Sequence, residues 1–198
     1  MRKLIVASNN AHKISEIKEI LSKFDLQVLS LKEAGINVDV EENGITFMEN
    51  ASIKARAIKV LCKDEMILSD DSGLSVEALG GAPGIYSARY CGEHGNDVEN
   101  NKKLIREMAG IPFEERKAKF VCAMALIVDE ENEIQVQGEV EGFILENYEP
   151  CEGFGYDPLF YVPSLKATFN DVSSEVKNSM SHRGRALEKL TEEIKNYL

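Results

Sequence analysis

Strand-like and helix-like patterns alternate through the first third of this chain and then give way to a long hairpin. That order leaves few possible architectures. Residues 2–8, RKLIVAS, read as a buried strand. Ile14, Ile17, Leu21 and Phe24 then recur at spacings of three and four, the period of an amphipathic helix. A short strand follows at 26–31, and Thr46 with Glu49 makes a capping-box pattern that opens an alanine-rich helix to about Cys62. Residues 65–69, EMILS, predict a short strand ending at the aspartate pair Asp70 and Asp71. A helix is expected from Asp97, as its cap, to Met108, where Gly110 and Pro112 stop it. Residues 117–129, KAKFVCAMALIVD, read as a long strand that turns at 130–132 into a second strand over 133–147, with Ile134, Val136 and Val140 on alternating sites. A last helix at about 184–197 carries Leu187, Leu190 and Ile194 toward the core. The expected class is α/β: a mixed sheet with helices on both sides.

The length of 198 residues suits one large α/β domain or two small lobes sharing a core. There is no repeat, low-complexity tract or long linker. No apolar run approaches ~18 residues, and the short apolar run in MRKLIVASNN has no small-residue cleavage site after it. These features predict a cytoplasmic protein without a membrane partner. The net charge of -11 leaves no basic track for polymeric nucleic acid, so a small anionic ligand would need a local positive focus. Cys62, Cys91, Cys122 and Cys151 form no C-x-x-C pair and have no His at metal-ligand spacing, so they read as reduced thiols, with Cys122 in the core and Cys151 beside a glycine turn.

Four polar islands interrupt the scaffold. SNNAHK, residues 8–13, joins the first strand to the first helix. Ligands of α/β sheets bind beyond strand carboxyl ends, and amides at a helix start plus Lys13 could cradle phosphate. The simpler reading is an asparagine cap and a solvated lysine. Glu41 and Glu42, before Asn43-Gly44, most simply mark a solvated loop. Asp70 and Asp71 should diverge in extended geometry, one toward a cleft and one bracing a turn, with Ser72 and Gly73 able to offer a hydroxyl and an amide to phosphate. The fourth island has two pieces. CEGFGYDP, 151–158, holds Phe154, which could stack on a base, and NSMSHRGRAL, 178–187, places His182 and Arg183 before the last helix with Lys177 just upstream. A core phenylalanine and a capping Ser-His pair would equally explain them singly. Acids, cations and an aromatic gathered at element ends favour a nucleotide-plus-metal site.

SNNAHK, ENGITFMENASIKA, DDSGLSVEALGGAPGIYSARY, FGYDPLF and SHRGRAL, in this order and across nearly the whole chain, resemble the inosine triphosphate pyrophosphatase family, the XTP/dITP pyrophosphatases or Ham1-like proteins. The resemblance implies a single domain over 1–198 with two lobes, a long mixed sheet, an active-site cleft between lobes, and a homodimer. It implies Mg2+-dependent hydrolysis of ITP, dITP and XTP to monophosphate and pyrophosphate. By motif match, Ser8, Asn9, Asn10, Ala11, His12 and Lys13 resemble the phosphate-binding segment. Glu42 and Asp71 match the metal-associated acids, and Asp71 also matches the proton acceptor. Ser72, Phe154, Gly155, Tyr156, Asp157, Lys177, His182 and Arg183 match substrate contacts. Two stretches depart from the family pattern: Cys151-Glu152-Gly153 leaves one glycine before FGYD, and Thr168-Phe-Asn-Asp171 stands where T-x-A-E is usual. A Maf-like pyrophosphatase of other base specificity would carry motifs different from SHRG and FGYDP. The presence of Lys13, Glu42 and Asp71 speaks against an inactive nucleotide-binding module.

Overall fold

A computed structural model describes residues 2–149, 151 and 153–198; Met1, Pro150 and Glu152 lie outside the described residues, and with them one position of the CEGFGYDP loop. Among the described residues the strands are β1 (Arg2–Val6), β2 (Leu26–Ser30), β3 (Met66–Val76), β4 (Lys117–Ile127), β5 (Glu133–Ile144), β6 (Phe160–Val162) and β7 (Ala167–Thr168). They form one sheet in the order β2-β1-β3-β4-β5-β6-β7. β1 runs parallel to β2 and β3, and β6 antiparallel to β5 and β7, so the sheet is mixed. The α-helices are α1 (Ala11–Leu21), α2 (Phe47–Leu61), α3 (Asp97–Glu107), α4 (Ser174–Met180) and α5 (His182–Ile194). The chain divides into two compact units: Met1–Asp71, Cys122–Gly138 and Arg183–Leu198 make the first, Ser72–Val121 and Glu139–His182 the second.

The first unit shows why its strands read as nearly continuous apolar runs. Alternate residues of a strand point to opposite faces, and here both faces are covered. Leu4 and Val6 of β1, with Cys122, Met124 and Leu126 of β4, pack with Ile17 and Leu21 of α1 and Leu187, Leu190 and Ile194 of α5. The intervening Ile5 and Ala7, with Ala125 and Ile127, pack with Ala51, Ala55 and Ile58 of α2. Burying a side chain such as Ile58 completely contributes about 1.5–3 kcal/mol. Asn10 caps α1 and Thr46 caps α2, each accepting first-turn amides. Glu49 reaches back to the Ile45 amide at 2.7 Å, one residue before the cap itself.

The second unit is built on aromatic residues. Phe120 of β4 lies against Phe160 at a 4.5 Å centroid distance, and Phe169 packs on Phe160 at 5.6 Å. His182 stacks on Phe120 at 4.8 Å, nearly parallel. Gly142 of β5 passes so close to the Tyr161 carbonyl and the Phe160 ring that a Cβ there would collide with backbone. Arg116 is buried and donates to the carbonyls of Ile144 (2.8 Å), Met108 (2.8 Å), Ile111 (3.2 Å) and Leu145 (2.8 Å), tying the end of α3 to the end of β5.

Several sequence expectations are corrected. β3 does not stop at the aspartates but continues through Asp70, Asp71, Ser72 and Gly73 to Val76, because Leu74 and Val76 re-enter an apolar core. Asp70 therefore braces no turn. The α3 cap is Asn96, whose side chain accepts the Glu99 amide, and Asp97 is the first helical residue. His182 and Arg183 do not precede the last helix but open it, and the short helix α4, not expected from sequence, comes just before. Thr168 and Asp171 close a local turn, the Asp171 carboxylate accepting from the Thr168 hydroxyl at 2.6 Å and amide at 3.1 Å.

Candidate active site

In the first unit the sequence-predicted residues Lys13, Glu42, Asp71 and Arg183 come together around Asp70. Asp70 sits inside β3 with about 1% of its surface exposed. Lys13 Nζ lies 2.9 Å from its Oδ2, and Arg183 Nε lies 3.6 Å from the same oxygen. Burial alone would push the Asp70 carboxyl up; Lys13, Arg183 and Lys54 outweigh it and hold the group far below the usual carboxylate range. Arg183 also pairs with Glu16 of α1. Lys13 is thus not the solvated lysine that an unliganded loop would show. The Asn10 side chain accepts the amides of His12 (3.0 Å) and Lys13 (3.2 Å), so those two helix-start amides are already engaged. Ser8 Oγ accepts the Asn10 amide at 3.1 Å, while Asn9, Ala11 and His12 face solvent.

Asp71 follows in the strand and is half-buried. Asn50 Nδ2 donates to its Oδ2 at 3.0 Å. Its pKa is raised by burial, opposed by the Asn50 hydrogen bond and by Lys13, and raised further by the charge of Glu42. Glu42 itself receives Lys54 Nζ at 2.7 Å, and the same ammonium donates to the Asp70 carbonyl at 3.2 Å. Burial pulls the Lys54 pKa down, but Glu42, Asp70 and Asp71 together carry it up. Sequence reasoning did not pick out Asn50 and Lys54, which the structure brings against Asp71, Glu42 and the Asp70 carbonyl. They lie four residues apart on one face of α2, a spacing that holds in many solvated helices. Only the fold places that face against β3. The buried Cys122 thiol, beside Asp70, is pushed up to about 12 by burial and is inert core.

In the second unit Phe154, Gly155, Tyr156 and Asp157 form a turn, closed by the Asp157 amide donating to the Phe154 carbonyl at 3.1 Å. The Tyr156 hydroxyl donates to the Ser87 carbonyl at 2.8 Å, which buries that ring as an anchor. Lys177 donates to Asp157 at 2.6 Å and stands 5.6 Å from the Phe154 ring centroid. His182 is held flat on Phe120, and Ser72 is half-buried in β3. Gly155 is in turn held by Asp97 and Asn101 of α3; the sequence pointed to Asp97 only as a helix cap and did not single out Asn101.

The donor set at Glu42 and Asp71 fits a magnesium ion. Mg2+ takes one or two carboxylates and completes its shell with phosphate oxygens and water. The charge of Glu42 raises the proton affinity of Asp71, and a cation held by both carboxylates would offset that repulsion. Among the described residues no group of three or more His, Cys, Asp or Glu gathers as for an all-protein metal cage. No helix among them is long and apolar enough to cross a membrane.

Known proteins are similar to this chain over its whole length. The chain is 54% identical to a dITP/XTP pyrophosphatase of Clostridium perfringens over the full length of both chains. It is 52% identical to a dITP/XTP pyrophosphatase of Clostridium tetani, covering 100% of this chain and 98% of the relative. The Staphylococcus aureus Ham1 protein superposes with a TM-score of 0.88 at 38% identity, each chain covered completely. The model of the Ham1 family matches residues 4–193. With the family model, the relatives and the solved structure agreeing over nearly every residue, this chain belongs to the Ham1 family.

Proposed function

We propose that the protein hydrolyses the non-canonical purine nucleoside triphosphates ITP, dITP and XTP to the monophosphate and pyrophosphate, clearing them from the nucleotide pool. The single observation that carries this reading is the assembly of Lys13, Glu42, Lys54, Asp70 and Asp71 in a member of the Ham1 family whose relatives are dITP/XTP pyrophosphatases. Such a cluster contains more charge than a fold needs, and an inactive binding module would have no use for a raised carboxyl beside two lysines. The enzyme works as a cytoplasmic homodimer and uses Mg2+, as the family resemblance implies.

Glu42 and Asp71 would hold the ion. When bound, Mg2+ offsets phosphate charge and lowers the pKa of water. Lys13 and Lys54 bring fixed positive charge to the triphosphate, and Asp70 keeps the Lys13 ammonium in place. Water attacks the α-phosphorus, the bond to the α-β bridging oxygen breaks, and pyrophosphate leaves. Asp71 orients the attacking water and takes its proton, and in the absence of the ion burial raises its pKa above the ordinary carboxylate value. Charge stabilisation on the phosphoryl oxygens supplies most of the acceleration.

Phe154 stacks on the base, and Lys177 and His182 contact the substrate. Hypoxanthine and xanthine present a 6-oxo acceptor beside an N1–H donor, and adenine the reverse. Donors from Arg183 or the backbone at O6 would leave adenine mismatched, which can supply a factor of about 10⁴. Guanine shares the 6-oxo edge and is rejected at C2, where a pocket lacking an acceptor leaves its amine unpaired. The test is release of pyrophosphate, converted to phosphate by added inorganic pyrophosphatase, from ITP, dITP, XTP, GTP and ATP, with and without Mg2+. ITP and XTP should be far better substrates than GTP and ATP. Equal efficiencies for ITP and GTP would defeat the proposal.

A further inference from the structure

Helix α3 grips the turn that carries Phe154 by both polar groups of one residue. Asp97 Oδ2 accepts the Gly155 amide at 2.7 Å. One helical turn later, Asn101 Nδ2 donates to the Gly155 carbonyl at 2.7 Å and to the Asp97 carbonyl at 2.8 Å. The i,i+4 spacing puts both side chains on one face of α3, and Asn101 is almost wholly buried there. Gly155 has φ +57°, at the first central position of the turn closed by Asp157 and Phe154, where mirror-image turns require a positive φ. A glycine there reaches many other conformations unless its amide and carbonyl are tied. The bond to Asp97 is charge-assisted, the stronger kind. Asn96, not Asp97, caps the helix, so the Asp97 carboxylate is not needed to start α3.

Resting on the assignment of the Phe154 turn to base recognition made above, we propose that Asp97 and Asn101 are positioning residues for base selectivity. They fix the turn, and with it the Gly155 carbonyl, so that no acceptor can swing round to pair an extra C2 amine. Hypoxanthine and guanine differ by that one group, so discrimination depends on placement to within a fraction of an ångström. A misplacement of ~1 Å can cost about a hundredfold in rate. A loosened turn would still admit inosine but would admit guanine nearly as well. Phosphate handling, which relies on Lys13, Glu42, Lys54 and Asp71, would stay as it is.

The experiment compares wild type with Asp97→Asn, Asp97→Ala and Asn101→Ala. It measures kcat and KM for ITP and GTP and the inhibition of ITP hydrolysis by inorganic tripolyphosphate, a probe without a base. Asp97→Ala and Asn101→Ala should lower the ITP-over-GTP preference about tenfold or more, chiefly through KM, while tripolyphosphate inhibition stays within about twofold. Asp97→Asn keeps an acceptor for the Gly155 amide and should retain most of the preference. Thermal unfolding of each variant identifies any that fail to fold; should Asp97→Ala be one, Asn101→Ala and Asp97→Asn decide the matter. An unchanged preference in folded Asn101→Ala, or a parallel weakening of ITP and tripolyphosphate, would overturn the inference. A wild-type enzyme that treats ITP and GTP alike would overturn the base-recognition reading itself, and the inference with it, before any variant is compared.

Discussion

Lys13 Nζ and Asp70 Oδ2 stand 2.9 Å apart, the lysine on the first turn of α1 and the carboxylate wholly inside β3. A buried carboxylate persists in its charged form only when cations meet it, and here Lys13 and Arg183 do so from two helices. The pair ties Lys13 to the sheet, and under the proposed function stability and phosphate binding share this one contact.

Asp70→Asn should therefore lower stability by about 3–5 kcal/mol at pH 7, because two cations lose their buried partner. The pH dependence follows from the depressed pKa of Asp70. Its contribution is present above the unfolded carboxyl value of about 4 and is lost as pH falls toward the folded value. Urea unfolding between pH 5 and pH 2 should show wild type losing up to about 1.4 kcal/mol per pH unit more than Asp70→Asn. Parallel curves for the two proteins would contradict the assignment.

Asp71→Asn should reduce turnover of ITP by orders of magnitude while changing the affinity for a non-hydrolysable α,β-imido analogue only modestly. The substitution keeps size and the Asn50 contact but removes the proposed proton acceptor and one proposed metal-binding charge. Near-normal turnover would remove Asp71 from the chemistry.

Lys54→Gln tests the residue that the sequence did not single out. Removing the ammonium between Glu42 and the Asp70 carbonyl should lower kcat/KM for ITP by about a hundredfold. The inhibition constant for inorganic tripolyphosphate should rise in the same variant, since the lost charge serves the phosphates.

Divalent-ion binding can be read without turnover. Mg2+ or Mn2+ should raise the Tm of wild type, and much less that of Glu42→Gln or Asp71→Asn. Protons compete with the ion at Asp71, whose pKa lies above the ordinary carboxylate value. The Tm shift should therefore fade with acidification at a higher pH than an unperturbed aspartate would set. Full retention of the shift in both variants would place the ion elsewhere.

Arg116→Lys should cost about 2–4 kcal/mol in urea unfolding with the KM for ITP little changed. A lysine retains the charge but cannot reach four carbonyls in the plane of a guanidinium. Loss of activity without loss of stability would show that Arg116 does more than hold α3 to β5.

The sequence by itself determined the kinds of elements and most of their places. Period-two and period-3.6 apolar patterns are local, and so are the Thr46 cap, the Asn10 cap and the glycine-rich turns; each is settled by a few neighbouring residues. It also marked Lys13, Glu42, Asp71, Phe154 and Arg183, which fall within the motifs that resemble the Ham1-like proteins. Only the tertiary structure decided the rest. The aspartates lie within β3, not beyond it, because Leu74 and Val76 find an apolar core that no local pattern announces. Asp70 is a buried counter-ion for Lys13, and Lys54, Asp97 and Asn101 are more than surface polar groups, because their partners lie far along the chain. The reason is physical: a propensity belongs to a short segment, whereas the ionisation and role of a polar side chain depend on what the fold brings within hydrogen-bond reach of it.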